Sequence, residues 1–208
     1  MLQSTRLCEL ADVRREQILA EATRLFAASG FPNTEVQAIV DNLGIGKGTV
    51  YRYFPSKRDV FMAAVDRGIR LLGESVNRAA DASREPMERL LNAIKAYLAF
   101  FDEHPEIVEL LIQERAEFRD RKKPTYFLHK EQNIAKWHLL LRELMQSGKI
   151  REMPEEAVAD YISDLLYGMV FTKFFSGREK PLSDQADQVI EILLSGITPL
   201  DETRGKCT

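Results

Sequence analysis

Apolar residues recur at helical spacing along almost the whole chain, and no region alternates with the two-residue period, bounded by hairpin turns, that a strand requires. The expected fold class is therefore all-α, and glycines and prolines mark where one helix stops and the next begins. A first helix is expected over about Asp12–Ser29, with Ile18, Ala22, Leu25 and Phe26 as its buried stripe and Gly30 as its end. Thr34 is expected to cap a short second helix whose Val36, Ile39, Val40 and Leu43 face inward, before a tight turn at Gly44–Ile45. A third short helix spans roughly Gly46–Tyr53 and is stopped by Pro55. Ser56 and Asp59 then open a long fourth helix reaching about Ala80.

Beyond residues 81–85 the helices lengthen. They are expected over about Pro86–Glu103, Glu106–Phe118, Thr125–Gln146, Pro154–Gly177 and from Ser183 to just before Pro199. Arg119–Lys123, followed by Pro124, reads as a solvated connector. The expected organisation is an N-terminal arm at 1–11, a three-helix helix-turn-helix domain of homeodomain-like type at 12–58, a C-terminal helical effector-binding and dimerisation domain at 59–200, and a tail at 201–208.

Composition narrows the class. With 208 residues, 45% hydrophobic and 29% charged, the chain has enough apolar material for a buried core. No stretch approaches the ~20 apolar residues of a membrane helix, and Met1–Leu10 lacks the apolar run of a signal peptide, so a cytoplasmic protein is expected. Cys8 and Cys207 fit neither a disulfide framework nor a metal knuckle.

The net charge of −3 conceals an asymmetry: residues 1–58 hold 8 Lys/Arg against 6 Asp/Glu, and the excess of acid falls in the rest. From Asn42 to Arg58 the cations Lys47, Arg52, Lys57 and Arg58 meet no acid, which suits a surface lying on phosphates. Two short helices joined by a glycine turn form a helix-turn-helix, and its use depends on what the second helix exposes. Stepping about 100° per residue puts Val50 and Phe54 on the buried face. The opposite face presents Gly48, Thr49 and Arg52, flanked by Lys47 and Tyr51 on one side and Tyr53 on the other. Gly48 allows close backbone approach to a groove, Thr49 can bond a base edge or touch a thymine methyl, and Arg52 can read guanine or hold phosphate. Lys47, Tyr51 and Lys57 suit phosphate contacts, which position without specifying sequence.

The segment Thr34–Lys57, TEVQAIVDNLGIGKGTVYRYFPSK, resembles the signature of the TetR family of transcriptional regulators: a threonine-led helix, a glycine turn, then Gly-x-x-Tyr-x-x-Phe-x-x-Lys. The resemblance covers about a quarter of the chain, from Ile18 to Phe61. It implies that Thr34 and Gln37 approach the DNA backbone or groove edge, that Lys47, Gly48, Thr49 and Tyr53 enter the groove, and that Tyr51 and Lys57 clamp phosphates. It also implies a divergent C-terminal effector domain and dimerisation through the last two helices. Three positions depart from the family pattern: Glu35 where a second threonine is common, Val40 where alanine usually packs, and Gly46 where serine usually caps.

Other chemistry has little support. His104, His129 and His138 have no histidine or cysteine at metal-ligand spacing, and no phosphate-cradling glycine loop, nucleophile elbow or carboxylate pair is evident. Neither a metal, a cofactor nor an enzymatic activity is expected. Tyr97, Phe127, Trp137, His138, Tyr161 and Leu165 are the candidate lining of an effector cavity for a small apolar or aromatic molecule, against the alternative that they are ordinary core. The last two helices carry more apolar surface than one packed layer needs, which suggests a homodimer. The expected function is a repressor released from palindromic double-stranded operator DNA by its effector. A scaffolding DNA-binding protein of the same fold, without effector, is the alternative.

Overall fold

The computed structural model describes residues 2–198, so the expected tail at 201–208 and Cys207 lie outside the described residues. All described secondary structure is helical: α1 (Leu2–Asn33), α2 (Val36–Leu43), α3 (Lys47–Tyr53), α4 (Lys57–Asp81), α5 (Pro86–Glu103), α6 (Pro105–Glu117), α7 (Thr125–Gln146), α8 (Glu155–Ser176) and α9 (Ala186–Ile197), with a one-turn 3-10 helix at Ser183–Gln185 before α9. Among the described residues no helix is long and apolar enough to cross a membrane.

The chain divides into two compact units, and the division differs from a boundary at residue 58. Among the described residues the first comprises 2–71 and 105–128, the second 72–104 and 129–198. Residues 105–128, expected in the C-terminal domain, thus pack with the N-terminal helices.

In the first unit α1 lies against α2 and, most extensively, against α6, while α2 and α3 touch through the turn that joins them. α1 begins at Leu2 rather than near Asp12, for no glycine or proline interrupts that stretch. Gly30 adopts φ 79°, ψ 156°, breaking the helix where expected, and residues 31–33 form a trailing turn. The core gathers Ile18, Leu19, Phe26, Ile39, Val50 and Phe61, each fully buried. Phe26, Phe31, Phe61 and Phe118 form one aromatic cluster, with edge-to-face contacts of 5.1 Å between Phe26 and Phe61 and 4.9 Å between Phe31 and Phe118. Glu16 of α1 pairs with Arg67 at 2.7 Å and Arg70 at 3.1 Å on α4. At Gly68, α4 approaches Ile107 of α6 so closely that a Cβ would stand 2.5 Å from the isoleucine Cδ1.

Glu114 of α6 is an acid on the same helical face as Ile107, Leu110 and Leu111, and it is 1% exposed. Its carboxylate accepts from the Thr125 amide at 3.0 Å, from the Thr125 hydroxyl at 2.7 Å and from Arg121 at 3.1 Å. The buried charge is satisfied by the first turn of α7 and one guanidinium, the condition for keeping an ionised group out of water.

In the second unit α5 packs against α8, the 3-10 turn and α9. Leu98, Leu144, Leu141 and Val170 fill its interior. Asp102 at the end of α5 accepts from the amides of Leu182 at 2.9 Å and Ser183 at 2.8 Å, from the Ser183 hydroxyl at 2.9 Å and from Lys173. Burial pushes this carboxyl up, but Lys173 and the bonds from Ser183 and Leu182 outweigh it and hold it below its ordinary range. One residue thus ties the end of α8 and the 3-10 turn before α9 to α5. Large apolar side chains remain outside: Tyr161 and Phe175 on α8 and Ile192 on α9 are about 70% exposed.

Candidate nucleic-acid interface

The sequence of α3 creates a helix with one buried side. Val50 is fully buried and Phe54, at its C-cap, is 4% exposed. Gly46 caps the N-terminus in extended conformation without a side-chain bond, and its carbonyl accepts from the Thr49 amide at 2.8 Å. A glycine suffices there because the cap costs only a few tenths of a kcal/mol relative to serine. Gly44 supplies the left-handed turn residue at φ 60° that ends α2.

Lys47, Gly48, Tyr51 and Arg52 are exposed, and Thr49 and Tyr53 are half-buried. All six therefore lie on or beside the outer face. The Lys47 ammonium lies 6.0 Å from the Tyr51 ring centroid and the Arg52 guanidinium 5.3 Å from that of Tyr53, so the cations are held against rings while their donors stay available. No acid occurs within α3.

Lys57 is half-buried at the start of α4. Its ammonium donates to the Pro32 carbonyl at 3.1 Å and lies 4.8 Å from the Phe31 ring centroid. The helix start is fixed by a reciprocal pair, in which the Asp59 amide donates to Ser56 Oγ at 3.2 Å and the Ser56 hydroxyl returns a bond to the Asp59 carboxylate at 2.7 Å. Gln37 is exposed on α2 with its amide nitrogen donating to Asp41 at 2.7 Å.

Thr34 requires a correction. It is 3% exposed and does not cap α2, whose N-cap residue is Glu35. Its hydroxyl donates back to the Gly30 carbonyl at 2.8 Å and lies 3.2 Å from that of Leu25. The positive φ of Gly30 turns the chain so that Thr34 satisfies the exposed carbonyls ending α1, a role local propensity could not distinguish from capping the next helix. Thr34 thus closes the end of α1 through its hydroxyl.

The six effector candidates are divided between the two units. Phe127 belongs to the first unit, and Tyr97, Trp137, His138, Tyr161 and Leu165 to the second. Tyr161 is 71% exposed and Leu165 40% exposed, because α8 turns that face outward; neither lies in an interior wall. Leu165 instead borders an open cleft of about 400 Å³ with Gly168, Met169, Lys173, Arg178 and Leu182. Tyr97, Trp137 and His138 are half-buried, Tyr97 stacking edge-to-face on Phe101 at 5.2 Å.

Phe118, Asp120 and Arg121 pack against Phe31, Phe61, Arg58 and Met62 of the first unit, which helical periodicity alone does not indicate. The helical spacing of Phe118 signals burial but not its partners, and nothing in the sequence points Asp120 at Arg58.

Residues 18–64 match the family described as "Bacterial regulatory proteins, tetR family". The chain is similar to the HTH-type transcriptional regulator HbdR of an Aromatoleum species, 30% identical over 45% of this chain and 41% of that protein. It is also similar to the nucleoid occlusion factor SlmA of Vibrio vulnificus, 27% identical over 67% of this chain and 70% of that protein. The chain spans about two fifths of the length of HbdR and of a second relative, YerO of Bacillus subtilis. Among solved structures, the regulator FadR of Bacillus subtilis in complex with stearoyl-CoA matches with a TM-score of 0.74 at 20% identity over 88% of this chain and 98% of that one. The ketosteroid regulator KstR2 of Mycobacterium tuberculosis matches with a TM-score of 0.65 at 24% identity over 90% and 96%. With the helix-turn-helix of α2 and α3 in place, residues 18–64 carry the N-terminal segment of the bacterial tetR family of regulatory proteins, and the chain shares the all-helical fold of these solved structures.

Proposed function

We propose that this chain is a ligand-responsive repressor, a homodimer that binds palindromic operator DNA and is released by a lipophilic effector. The observation that carries the reading is the outer face of α3, acid-free, exposed and set with Lys47, Thr49, Tyr51 and Arg52 over a buried Val50. Gln37, Gly48, Tyr53 and Lys57 complete the proposed contact set. Thr49 and Arg52 read bases; Lys47, Tyr51 and Lys57 hold phosphates.

Dimerisation is assigned to α8 and α9, whose exposed Tyr161, Leu165, Phe175 and Ile192 are large apolar groups without cover in a single chain. Two-fold symmetry then requires half-sites about one helical turn apart. A lipophile is the effector class we place first, because the fold neighbour FadR carries stearoyl-CoA and the second unit is rich in aromatic and aliphatic side chains. Release follows if the effector binds better to the state in which the two heads are wrongly spaced; a coupling of ~1–3 kcal/mol changes operator affinity about 5- to 150-fold.

The test is selection of duplexes from random DNA by the full chain, footprinting of the winner, and titration of acyl-CoAs and an aromatic library against the complex. The reading expects two-fold symmetric protection and release by a lipophile. Protection of one asymmetric half-site removes the dimer, and binding unaffected by every compound leaves a scaffolding DNA-binding protein.

A further inference from the structure

We propose that the basic segment between α6 and α7, through Arg119 and Lys122, is a second phosphate-contact surface that lies on the DNA backbone beyond the half-site read by α3; this rests on the DNA-binding reading above. From Arg115 to Lys123 the chain holds five cations, Arg115, Arg119, Arg121, Lys122 and Lys123, against the acids Glu117 and Asp120. A charge run in a connector is ordinarily just solvated. Its placement distinguishes this one.

Phe118, 6% exposed, anchors the segment in the aromatic cluster of the first unit, its ring 4.9 Å from that of Phe31 and 5.4 Å from that of Phe61. Those rings also carry the cations that open α4. Lys57 lies 4.8 Å from the centroid of Phe31, and Arg58 lies 4.9 Å from that of Phe118. Arg58 further donates to Asp120 at 2.8 Å, and this bond holds the Asp120 carboxyl below its ordinary range. The segment therefore abuts the start of α4, the element that follows α3 and bears the proposed phosphate contact Lys57.

The internal pairing leaves a defined remainder. Asp120 is engaged by Arg58, and Arg121 turns inward to Glu114 at 3.1 Å and to Met62 Sδ at 3.3 Å. Arg119 and Lys122 flank these pinned residues, are exposed, and have no partner among the described residues. A segment tied down at 118, 120 and 121 presents the two cations with little backbone ordering left to do, which favours binding. Their position in the same compact unit as α3 favours the sugar-phosphate backbone over an acidic protein or an anionic membrane.

The experiment uses the full chain and the duplex it selects from random DNA. One version of that duplex ends at the footprinted half-sites, and another carries about one further helical turn, ~10 bp, on each side. The double variant Arg119→Ala, Lys122→Ala should bind the short duplex as the wild type does. On the long duplex its salt slope should fall by about 1.8, two contacts at ~0.9 each, so its deficit at 50 mM salt exceeds that at 200 mM about 12-fold. Lys122→Glu alone should lower the slope by at least half as much, and thermal unfolding of both variants should match the wild type. An unchanged slope on the long duplex, or an equal loss on both duplexes, overturns the proposal, as does loss of binding to anionic vesicles with DNA binding intact. Failure of the wild type to select any duplex would instead refute the DNA-binding reading itself.

Discussion

Replacing Gly68 by alanine puts a methyl group where α4 and α6 of the first unit already touch. The added Cβ would lie 2.5 Å from Ile107 Cδ1, 3.1 Å from Cγ2 and 3.3 Å from Cγ1. Carbon atoms in contact rest at ~3.5–4.0 Å, so the Cδ1 must retreat by about an ångström and the other two by a few tenths. Ile107 is 2% exposed and has little room to do so. Overpacking of this kind costs ~1–3 kcal/mol, while the helix propensity of alanine over glycine returns ~1 kcal/mol. Gly68→Ala should therefore lower stability by up to about 2 kcal/mol despite being a substitution that normally strengthens a helix. Ile107→Val removes Cδ1 but keeps both remaining branches, and alone should cost ~0.5–1.5 kcal/mol. Combined, the alanine methyl occupies the space vacated by Cδ1, so the pair should lose at least ~1 kcal/mol less than the sum of the single changes. Urea unfolding of the four proteins at one concentration, followed by helical circular dichroism, measures this directly. Additivity within ~0.3–0.5 kcal/mol, or a stabilised Gly68→Ala, would refute the close approach.

Asp102→Asn should destabilise the second unit by ~1–3 kcal/mol, since Lys173 loses its counter-charge and one acceptor of the α8–α9 tie becomes a donor. The Asp102 carboxyl lies below its ordinary range in the folded chain, so the unfolded chain takes up the proton first. The wild-type advantage is complete above the unfolded pKa of ~3.9 and disappears as pH falls through the folded value; a difference between the two proteins that persists undiminished into strong acid would count against it. Glu114→Ala leaves Arg121 and Thr125 without their shared acceptor and should cost about 3 kcal/mol, with the milder Glu114→Gln between it and wild type in thermal unfolding. Lys57→Ala should weaken DNA binding about equally on all sequences and lower the salt slope by ~0.9, whereas Thr49→Ala should relax preference at particular bases. Equal effects from the two would refute the separation of anchoring from reading.

Much of this protein is readable from local pattern. The bounds of α5 and α7 follow directly from apolar spacing and from the prolines and glycine around them, because helix ends are decided by residues within a turn of the break. The face of α3 is equally local: given Val50 and Phe54 inside, the helical period alone puts Gly48, Thr49 and Arg52 outside. Tertiary structure decided what periodicity cannot carry, namely which partner a polar or surplus group finds. Thr34 looked like the cap of α2, but the left-handed turn at Gly30 delivers its hydroxyl to the end of α1. Glu114 has the composition of a surface residue, and only the arrival of Thr125 and Arg121 makes its burial tolerable. Tyr161 reads as cavity lining, yet the facing of α8 leaves it 71% exposed. Residues 105–128 join the N-terminal helices because Phe118 and Ile107 complete an apolar core begun about forty residues or more earlier in the chain, a contact that sequence separation hides from any local pattern.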